Sequence, residues 1–217
     1  IKKTKNSNID YYINFLINHH SQHLETIKNV LTLIHLKKHN LIDSDLDYLE
    51  PKKFDFEPIC IKEGFYNFGT NFYLNAYDNE RPKFQKFIKS FFIDNKLIKI
   101  NEWLYFIKEN GYGREEIWST NGWKWKVQNN IKNPLNWVFF ENKLSISSPY
   151  GLKKPKINEP VTHISYFELE AFANFNKLKI PHELEWEASF NLISNKFKVW
   201  EWCNNLFFPY DGFISFP

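Results

Sequence analysis

The N-terminal part of the chain contains the segment SNIDYYINFLINHHSQHLETIKNVLTLIHLKKHN, from Ser7 to Asn40. Its apolar side chains recur every three or four residues, which predicts one amphipathic helix of about eight turns. Ser7 and Asp10 have the spacing of a capping box at its start. Cationic side chains from Lys37 onward suit its C-terminus. The apolar stripe comprises Ile9, Tyr12, Ile13, Leu16, Ile17, Leu24, Ile27, Leu31 and Ile34.

The pattern changes after this helix. Residues 41–58 are acidic and contain two prolines, which predicts a linker. From Ile59 onward, short apolar and aromatic runs alternate with glycine and proline breaks. This mixture predicts an α+β fold, with a helical part at 1–40 and a second domain at 59–217. The expected strands are Ile59 to Ile61, Phe84 to Ile93 and Trp137 to Phe140, and the expected helices lie near Asn101 to Lys108 and Tyr166 to Asn176.

Composition narrows the class of protein. The 28 basic residues are scattered among 25 acidic ones, and only Arg81 and Arg114 are arginines, so we expect no nucleic-acid partner. Cys60 and Cys203 are too few for a disulfide framework. No apolar run suits a membrane span or a signal peptide, so we expect a cytoplasmic protein with no membrane partner. The chain begins with Ile1 and contains no Met, which we interpret as the mark of an internal fragment.

Aromatic residues make up 19% of the chain. Rings bury large areas and dominate packing energies, so we expect most of them in the core. Trp200 and Trp202 are expected there as well, and Cys203 is expected to be a buried apolar residue.

His19 and His23 are the candidate metal ligands. They are four residues apart, so on a helix they share one face and their imidazoles can converge on one metal ion. We expect this face to turn toward the second domain. Glu25 lies roughly 200° around the helix from His23 at about 100° per residue, so an indirect role behind the metal ligands or a contact between helices suits it better than a place in the same ligand set. A third ligand must come from elsewhere.

A second histidine pair has the same spacing. His35 and His39 lie at the Lys-rich end of the predicted helix, and we expect both to be solvated.

Several motifs together carry a resemblance to a known family. The pattern His19-x-x-x-His23-x-Glu25 resembles the HxxxHxE signature of the DinB-like helical domain in ergothioneine- and ovothiol-type sulfoxide synthases. The rest of the chain resembles their second domain, which has the formylglycine-generating-enzyme, or sulfatase-modifying-factor, fold. The matching segments follow the order of the family and cover nearly the whole chain. They are Tyr77 to Pro82, Asn101 to Trp103 through Gly111-Tyr112, Trp118 with Gly122-Trp123, Pro160 to Glu168, Ile180 to Glu187, and Val199 to Trp202.

The resemblance implies a non-haem Fe(II) enzyme in which His19 and His23 are two of three histidine ligands. It also implies that Gln22 helps to seat the substrate imidazole through water. The substrates would be hercynine, a thiol (cysteine or γ-glutamylcysteine) and dioxygen, and the product would be a sulfoxide. The third ligand is expected upstream of Ile1 and the catalytic tyrosine beyond Pro217. No catalytic residue is assigned within the chain, and the fragment alone is expected to be inactive.

Three alternatives stay open at this point. An ovothiol-type 5-histidylcysteine sulfoxide synthase carries the same helix signature, although Gly151-Leu152 favours the ergothioneine type. A formylglycine-generating oxidase needs a reactive cysteine pair, which Cys60 and Cys203 do not resemble. The third alternative is a non-catalytic binding module of the same fold, and the helix with His19 and His23 argues against it.

Some segments depart from the family pattern or have a structural explanation. Lys179 and His182 stand where the family's RLPTE segment has arginine and threonine. We expect this segment to be structural, with Glu185 and Trp186 starting a packed helix. The segment Asp78 to Glu80 is expected to order a loop.

Overall fold

The computed structural model describes residues 7–37, 48–72, 76–140, 143–156, 158–194 and 199–214. Its first element, helix α1, spans Ser7–Lys37, as the periodicity predicts. Of the described side chains of α1, only Tyr11 and Thr32 are buried. The apolar stripe lies exposed on another side of the helix, with Ile17 at 57% and Ile27 at 55% exposure. The periodicity therefore predicted the helix but not the side that contacts the second domain.

Seven strands form three small antiparallel sheets. Strands β1 (Pro58–Ile61) and β4 (Phe91–Asp94) pair with each other, as do β2 (Gly64–Phe68) and β3 (Phe84–Ile88). Strands β5 (Trp137–Phe140), β6 (Lys143–Ser148) and β7 (Gly151–Lys153) form the third sheet in sequence order. The single run expected from Phe84 to Ile93 is thus two strands, which join different sheets.

Four shorter helices complete the fold. They are α2 (Ile100–Lys108), α3 (Thr120–Gln128), α4 (Tyr166–Phe175) and α5 (Glu183–Ser189). Helices α2 and α4 confirm the two predicted helices. At the start of α5, His182 Nδ1 accepts a hydrogen bond from Leu184 N at 3.1 Å, and Glu185 accepts one from His182 N at 2.8 Å. A histidine can therefore replace the usual threonine here, because its ring nitrogen satisfies a free N–H of the first turn.

The core lies between α2, α4 and the third sheet and is built mainly from rings. Trp103 on α2 stacks on Phe172 on α4, with centroids 4.8 Å apart and planes at 5°. Phe106 meets Phe172 edge-on at 5.6 Å. These residues are at most 1% exposed, so the expectation of an aromatic core is confirmed for them. Every helix and sheet in the described residues is consistent with an α+β fold.

The expectation for Trp200 and Trp202 is wrong. Trp200 is 77% exposed and Trp202 is 50% exposed. Each indole N–H has a partner at the surface, Glu25 Oε2 for Trp200 and Ile164 O for Trp202, both at 3.1 Å. Indole has a polar edge as well as an apolar face, so it serves at a wet contact as readily as in a core.

The segment expected to be a linker is in part packed. Leu49 and Phe54 lie against the core, and Lys52 N donates to Asn101 O at 3.0 Å. Residues 41–47 of this segment lie outside the described residues. Among the helices that the structure describes, none is long and apolar enough to cross a membrane.

Candidate functional site

Helix α1 contacts the second domain through one row of mostly polar residues, which we call the polar seam. Its members Tyr11, Asn18, Glu25 and Thr32 are each seven residues apart, or about two helical turns, so they share one face. The partners belong to two parts of the second domain and to the segment after α5. Tyr11 OH donates to Asp78 Oδ1 at 3.1 Å, Asn18 Nδ2 to Ala76 O at 3.2 Å, Trp200 Nε1 to Glu25 Oε2 at 3.1 Å, and Ser147 Oγ to Thr32 O at 2.7 Å.

His35 extends this contact at the C-terminal end of α1. Its Nδ1 lies 3.0 Å from Ser148 O, and the side chain is half-buried. The expectation that it is solvated is therefore wrong. His39 lies outside the described residues.

The histidine pair itself lies on the flank of α1. His19 Nε2 and His23 Nε2 are 2.9 Å apart, and their ring centroids are 4.4 Å apart with planes at 87°. The predicted convergence of the two rings is therefore present. The expectation that they face the second domain is wrong, because both side chains are exposed. At about 100° per residue they point roughly 100° and 140° away from Asn18 of the polar seam.

The spacing of the two nitrogens suits a metal ion. Two nitrogen ligands at adjacent corners of an octahedron, with metal–nitrogen bonds of about 2.1 Å, stand about 3 Å apart. The 2.9 Å between His19 Nε2 and His23 Nε2 fits that spacing. It also suits an N–H···N hydrogen bond between two neutral rings. Within the described residues no group of three or more His, Cys, Asp or Glu side chains could hold a metal ion. The pair therefore supplies two ligands of an incomplete set.

Two aromatic residues continue the row of rings toward the N-terminus of α1. Phe15 stacks on His19, with centroids 6.0 Å apart and planes at 10°. Tyr11 stacks on Phe15 at 6.4 Å and 25°. The four residues Tyr11, Phe15, His19 and His23 are spaced by four, a regularity visible in the sequence but not used in the prediction of the site.

Gln22 lies on the side of α1 between the histidine pair and the polar seam. It is exposed and lies about 40° around the helix from Asn18. Glu25 belongs to the polar seam and accepts the hydrogen bond from Trp200 Nε1. Trp200 lies outside the helices, so this contact of Glu25 is not one between two helices.

The 3-10 turn Asp78–Glu80 contacts Tyr11, the first residue of the row of rings. Asp78 forms an ion pair with Arg81, and the Arg81 guanidinium lies 5.7 Å from the centroid of the Tyr11 ring. Glu80 Oε2 accepts a hydrogen bond from Tyr77 N at 2.6 Å. The expectation that this segment orders a loop is confirmed.

A separate cavity of about 1070 Å³ opens beside the C-terminal half of α1. Asn29 of α1 lines it together with apolar and aromatic residues of the second domain, including Phe172, Trp186 and Trp200. Neither histidine of the pair belongs to its lining.

The two cysteines do not form a reactive pair. Both are free, and Cys60 is exposed on β1. Cys203 is half-buried, and desolvation raises the pKa of its thiol to about 11, so it stays protonated near neutral pH. Cysteine oxidation chemistry of the formylglycine-generating type therefore has no support from these residues.

Comparison with known proteins places this architecture in a family. The model of the sulfatase-modifying factor enzyme 1-like domain matches residues 50–207, which is most of the chain. The chain belongs to this family. Its sulfatase-modifying-factor domain includes every strand described above and all helices except α1.

Three curated relatives of this sulfatase-modifying-factor chain are hercynine oxygenases. The chain is 32% identical over 115 residues to the hercynine oxygenase of Mycolicibacterium thermoresistibile, and the match covers 52% of this chain and 25% of that protein. The hercynine oxygenases of Mycolicibacterium smegmatis and Mycobacterium tuberculosis are also 32% identical, over 116 and 113 residues. These matches span about a quarter of the length of each relative.

Proposed function

We propose that the protein carrying this chain is a non-haem, Fe(II)- and O2-dependent sulfoxide synthase. It joins a thiol, either cysteine or γ-glutamylcysteine, to the imidazole of hercynine in ergothioneine biosynthesis. In this proposal α1 ends an iron-binding helical domain at 1–40, residues 41–58 join it to the second domain, and 59–217 form most of the sulfatase-modifying-factor domain. His19 and His23 are two iron ligands, and Gln22 is a substrate-binding residue.

The observation that carries the proposal is the pair of imidazole nitrogens 2.9 Å apart on a helix held against a sulfatase-modifying-factor domain. Imidazole is a good ligand for Fe(II), and neutral ligands leave the metal able to accept a thiolate. The similarity to hercynine oxygenases also supports the proposal, because it extends over 115 residues, about half of the chain, at 32% identity.

The residues of the chain have distinct roles in this scheme. His19 and His23 would hold Fe(II), which supplies dioxygen activation when bound. Gln22, on the side of the helix between the pair and the second domain, orients the substrate imidazole through a water molecule. The polar seam fixes α1 on the second domain, so that groups from both parts can contact one substrate. Correct placement of two substrates at one site accounts for much of the rate in such reactions.

The deciding experiment is an assay of the full-length protein with Fe(II) and oxygen. Hercynine should be consumed only when a thiol is present, with oxygen uptake and a sulfoxide detected by mass spectrometry. Hercynine is compared with histidine, and γ-glutamylcysteine with cysteine. If iron is bound and no pairing gives a sulfoxide, the proposal is refuted.

The same assay separates the alternatives. An ovothiol-type 5-histidylcysteine sulfoxide synthase would form a sulfoxide from histidine and not from hercynine. A non-catalytic binding module would consume neither oxygen nor hercynine. The histidine pair argues against the binding module, because a binding fold has no need of two converging imidazoles.

A further inference from the structure

Within the described part of the chain, the rings of the histidine pair meet a hydrogen-bond partner only in each other, through Nε2 atoms 2.9 Å apart. Metal-ligating histidines usually donate their second ring N–H to a carboxylate or a carbonyl, which fixes the ring. Here no described residue bonds to either Nδ1. The terminal torsion of a histidine is broad, so an exposed ring without a partner at its second nitrogen keeps much of its rotational freedom.

Stacking on Phe15 supplies the missing restraint for His19. The two ring planes are within 10° of parallel, which limits rotation of the imidazole about its last torsion. Phe15 is restrained in turn by Tyr11, whose ring lies within 25° of parallel. Tyr11 is the one member of the row that is buried, at 8% exposure.

Tyr11 is anchored in the second domain. Its hydroxyl donates to Asp78, and Arg81 covers its ring. The row of rings therefore begins on the turn Asp78–Glu80 and ends at His23, three helical turns along α1. Rings spaced by four residues lie one above another on a helix, so a restraint at one ring passes to the next.

We propose that Tyr11 and Phe15 are positioning residues for the metal site. They hold the His19 imidazole in the orientation in which its Nε2 meets that of His23, and they link this orientation to the turn Asp78–Glu80 of the second domain. The inference rests on the proposed function, since it assumes that the pair binds a metal ion. Preorganisation of this kind raises affinity, because less side-chain freedom is lost on binding.

The test is the affinity of the full-length protein for Co(II), a spectroscopic substitute for Fe(II). Phe15→Leu, which removes the ring and keeps an apolar helix former, should bind Co(II) about tenfold more weakly, as loss of a ligand's supporting contact commonly does. Phe15→Tyr keeps the stacked ring and should stay within about twofold of the wild type. Tyr11→Phe keeps both rings and removes the hydroxyl that contacts Asp78 and Arg81, so an intermediate loss is expected.

Leu16→Ala is the control. It shortens an exposed apolar side chain at the position next to Phe15 and leaves every ring of the row in place. Its Co(II) affinity should stay close to that of the wild type. Equal weakening in Leu16→Ala and Phe15→Leu would show a general effect on the helix and overturn the proposal.

A second measurement reports on stacking directly. Nuclear magnetic resonance should show the His19 ring protons shifted upfield by Phe15, with the shift lost in Phe15→Leu and kept in Phe15→Tyr. Wild-type affinity and unchanged shifts in Phe15→Leu would refute the inference alone. Wild-type protein that binds Co(II) no better than His19→Ala would refute both the inference and the proposed function. Should Phe15→Leu fail to fold, a Tyr11→Phe variant of unchanged affinity would refute the link to the second domain.

Discussion

At the level of single side chains, His20 and His23 form a natural comparison. Both are exposed histidines of α1 whose rings contact that of His19, but only His23 brings a ring nitrogen within 2.9 Å of His19 Nε2. We expect His23→Ala in the full-length protein to abolish Fe(II) binding and sulfoxide formation, because one remaining imidazole cannot replace a lost ligand. His20→Ala should retain both. Metal analysis after desalting measures the difference, and equal loss of iron in both variants would show that the ligand pair is wrongly chosen.

A buried hydrogen-bond network in the core allows a comparison between Tyr112, which takes part in it, and Tyr105. Tyr112 OH donates to Glu168 Oε1 at 2.7 Å and accepts from Trp103 Nε1 at 3.2 Å. Tyr112→Phe leaves both partners unsatisfied in a buried place, so it should lower the free energy of unfolding by about 2 kcal/mol. Urea titration measures this change. Tyr105→Phe on α2, where the hydroxyl has no partner among the described residues, is the control and should change stability by less than about 0.5 kcal/mol.

Sequence patterns at the residue scale predicted the pair but not its surroundings. The spacing of His19 and His23 is fixed by helix geometry, so their convergence could be predicted. The exposure of Trp200 could not, because an indole ring suits a core and a polar contact equally well, and its partner Glu25 is far away in sequence. Long-range partners of this kind have no local signature.

At the scale of elements, the contact between α1 and β6 can be weakened without touching the histidine pair. Ser147 is 1% exposed and donates to the backbone carbonyl of Thr32 on α1. Ser147→Ala removes the hydrogen bond that the Thr32 carbonyl accepts from β6, and we expect the free energy of unfolding to fall by about 1 to 2 kcal/mol. Amide hydrogen exchange should become faster along the C-terminal half of α1.

Ser145→Ala is the control for this change. Ser145 is equally buried on the same strand, but its hydroxyl lies 3.4 Å from Lys153 O and has no bond to α1. It should leave exchange in α1 unchanged. Faster exchange in both variants would mean that the effect comes from the strand and not from the polar seam.

The helices differed in how well their sequence predicted them. Helix α1 was predicted to within a few residues because its periodicity extends over 31 residues. Helix α3 was missed, since its nine residues include a glycine and two half-buried indole rings and lack a clear apolar stripe. The face of α1 that carries the histidine pair was expected to turn toward the second domain, but the polar seam occupies that position. Periodicity shows that a face is apolar and not which element it meets.

At the scale of the whole molecule, stability should depend on the ionisation of Asp94. Burial raises the pKa of Asp94 to about 6, although Lys96 and the N–H of Glu57 lower it in part. Because the folded state prefers the protonated carboxyl, folding binds a proton between pH 4 and 6 and stability falls as pH rises through this range. Lys96 is paired with Glu57 and lies 3.7 Å from Glu102, so it only partly offsets the penalty.

Asp94→Asn should remove this dependence. The amide oxygen can still accept the bond from Glu57 N, and no charge has to be buried. We expect the variant to be more stable than the wild type by about 1 kcal/mol at pH 7.5, after allowance for solvent screening, and equal to it at pH 4. Chemical denaturation at the two pH values measures the difference. A variant less stable than the wild type at pH 7.5 would mean that the Asp94 carboxylate favours folding.

The polar seam also determines how the two parts of the chain can separate. The two described side chains that α1 buries, Tyr11 and Thr32, are not aliphatic, and Leu36 is half-buried, so lifting the helix would expose a modest apolar area and exchange several protein hydrogen bonds for water. Such an opening carries a small heat-capacity change and depends weakly on denaturant. The helix that holds the histidine pair could thus undock reversibly from the second domain without unfolding of that domain.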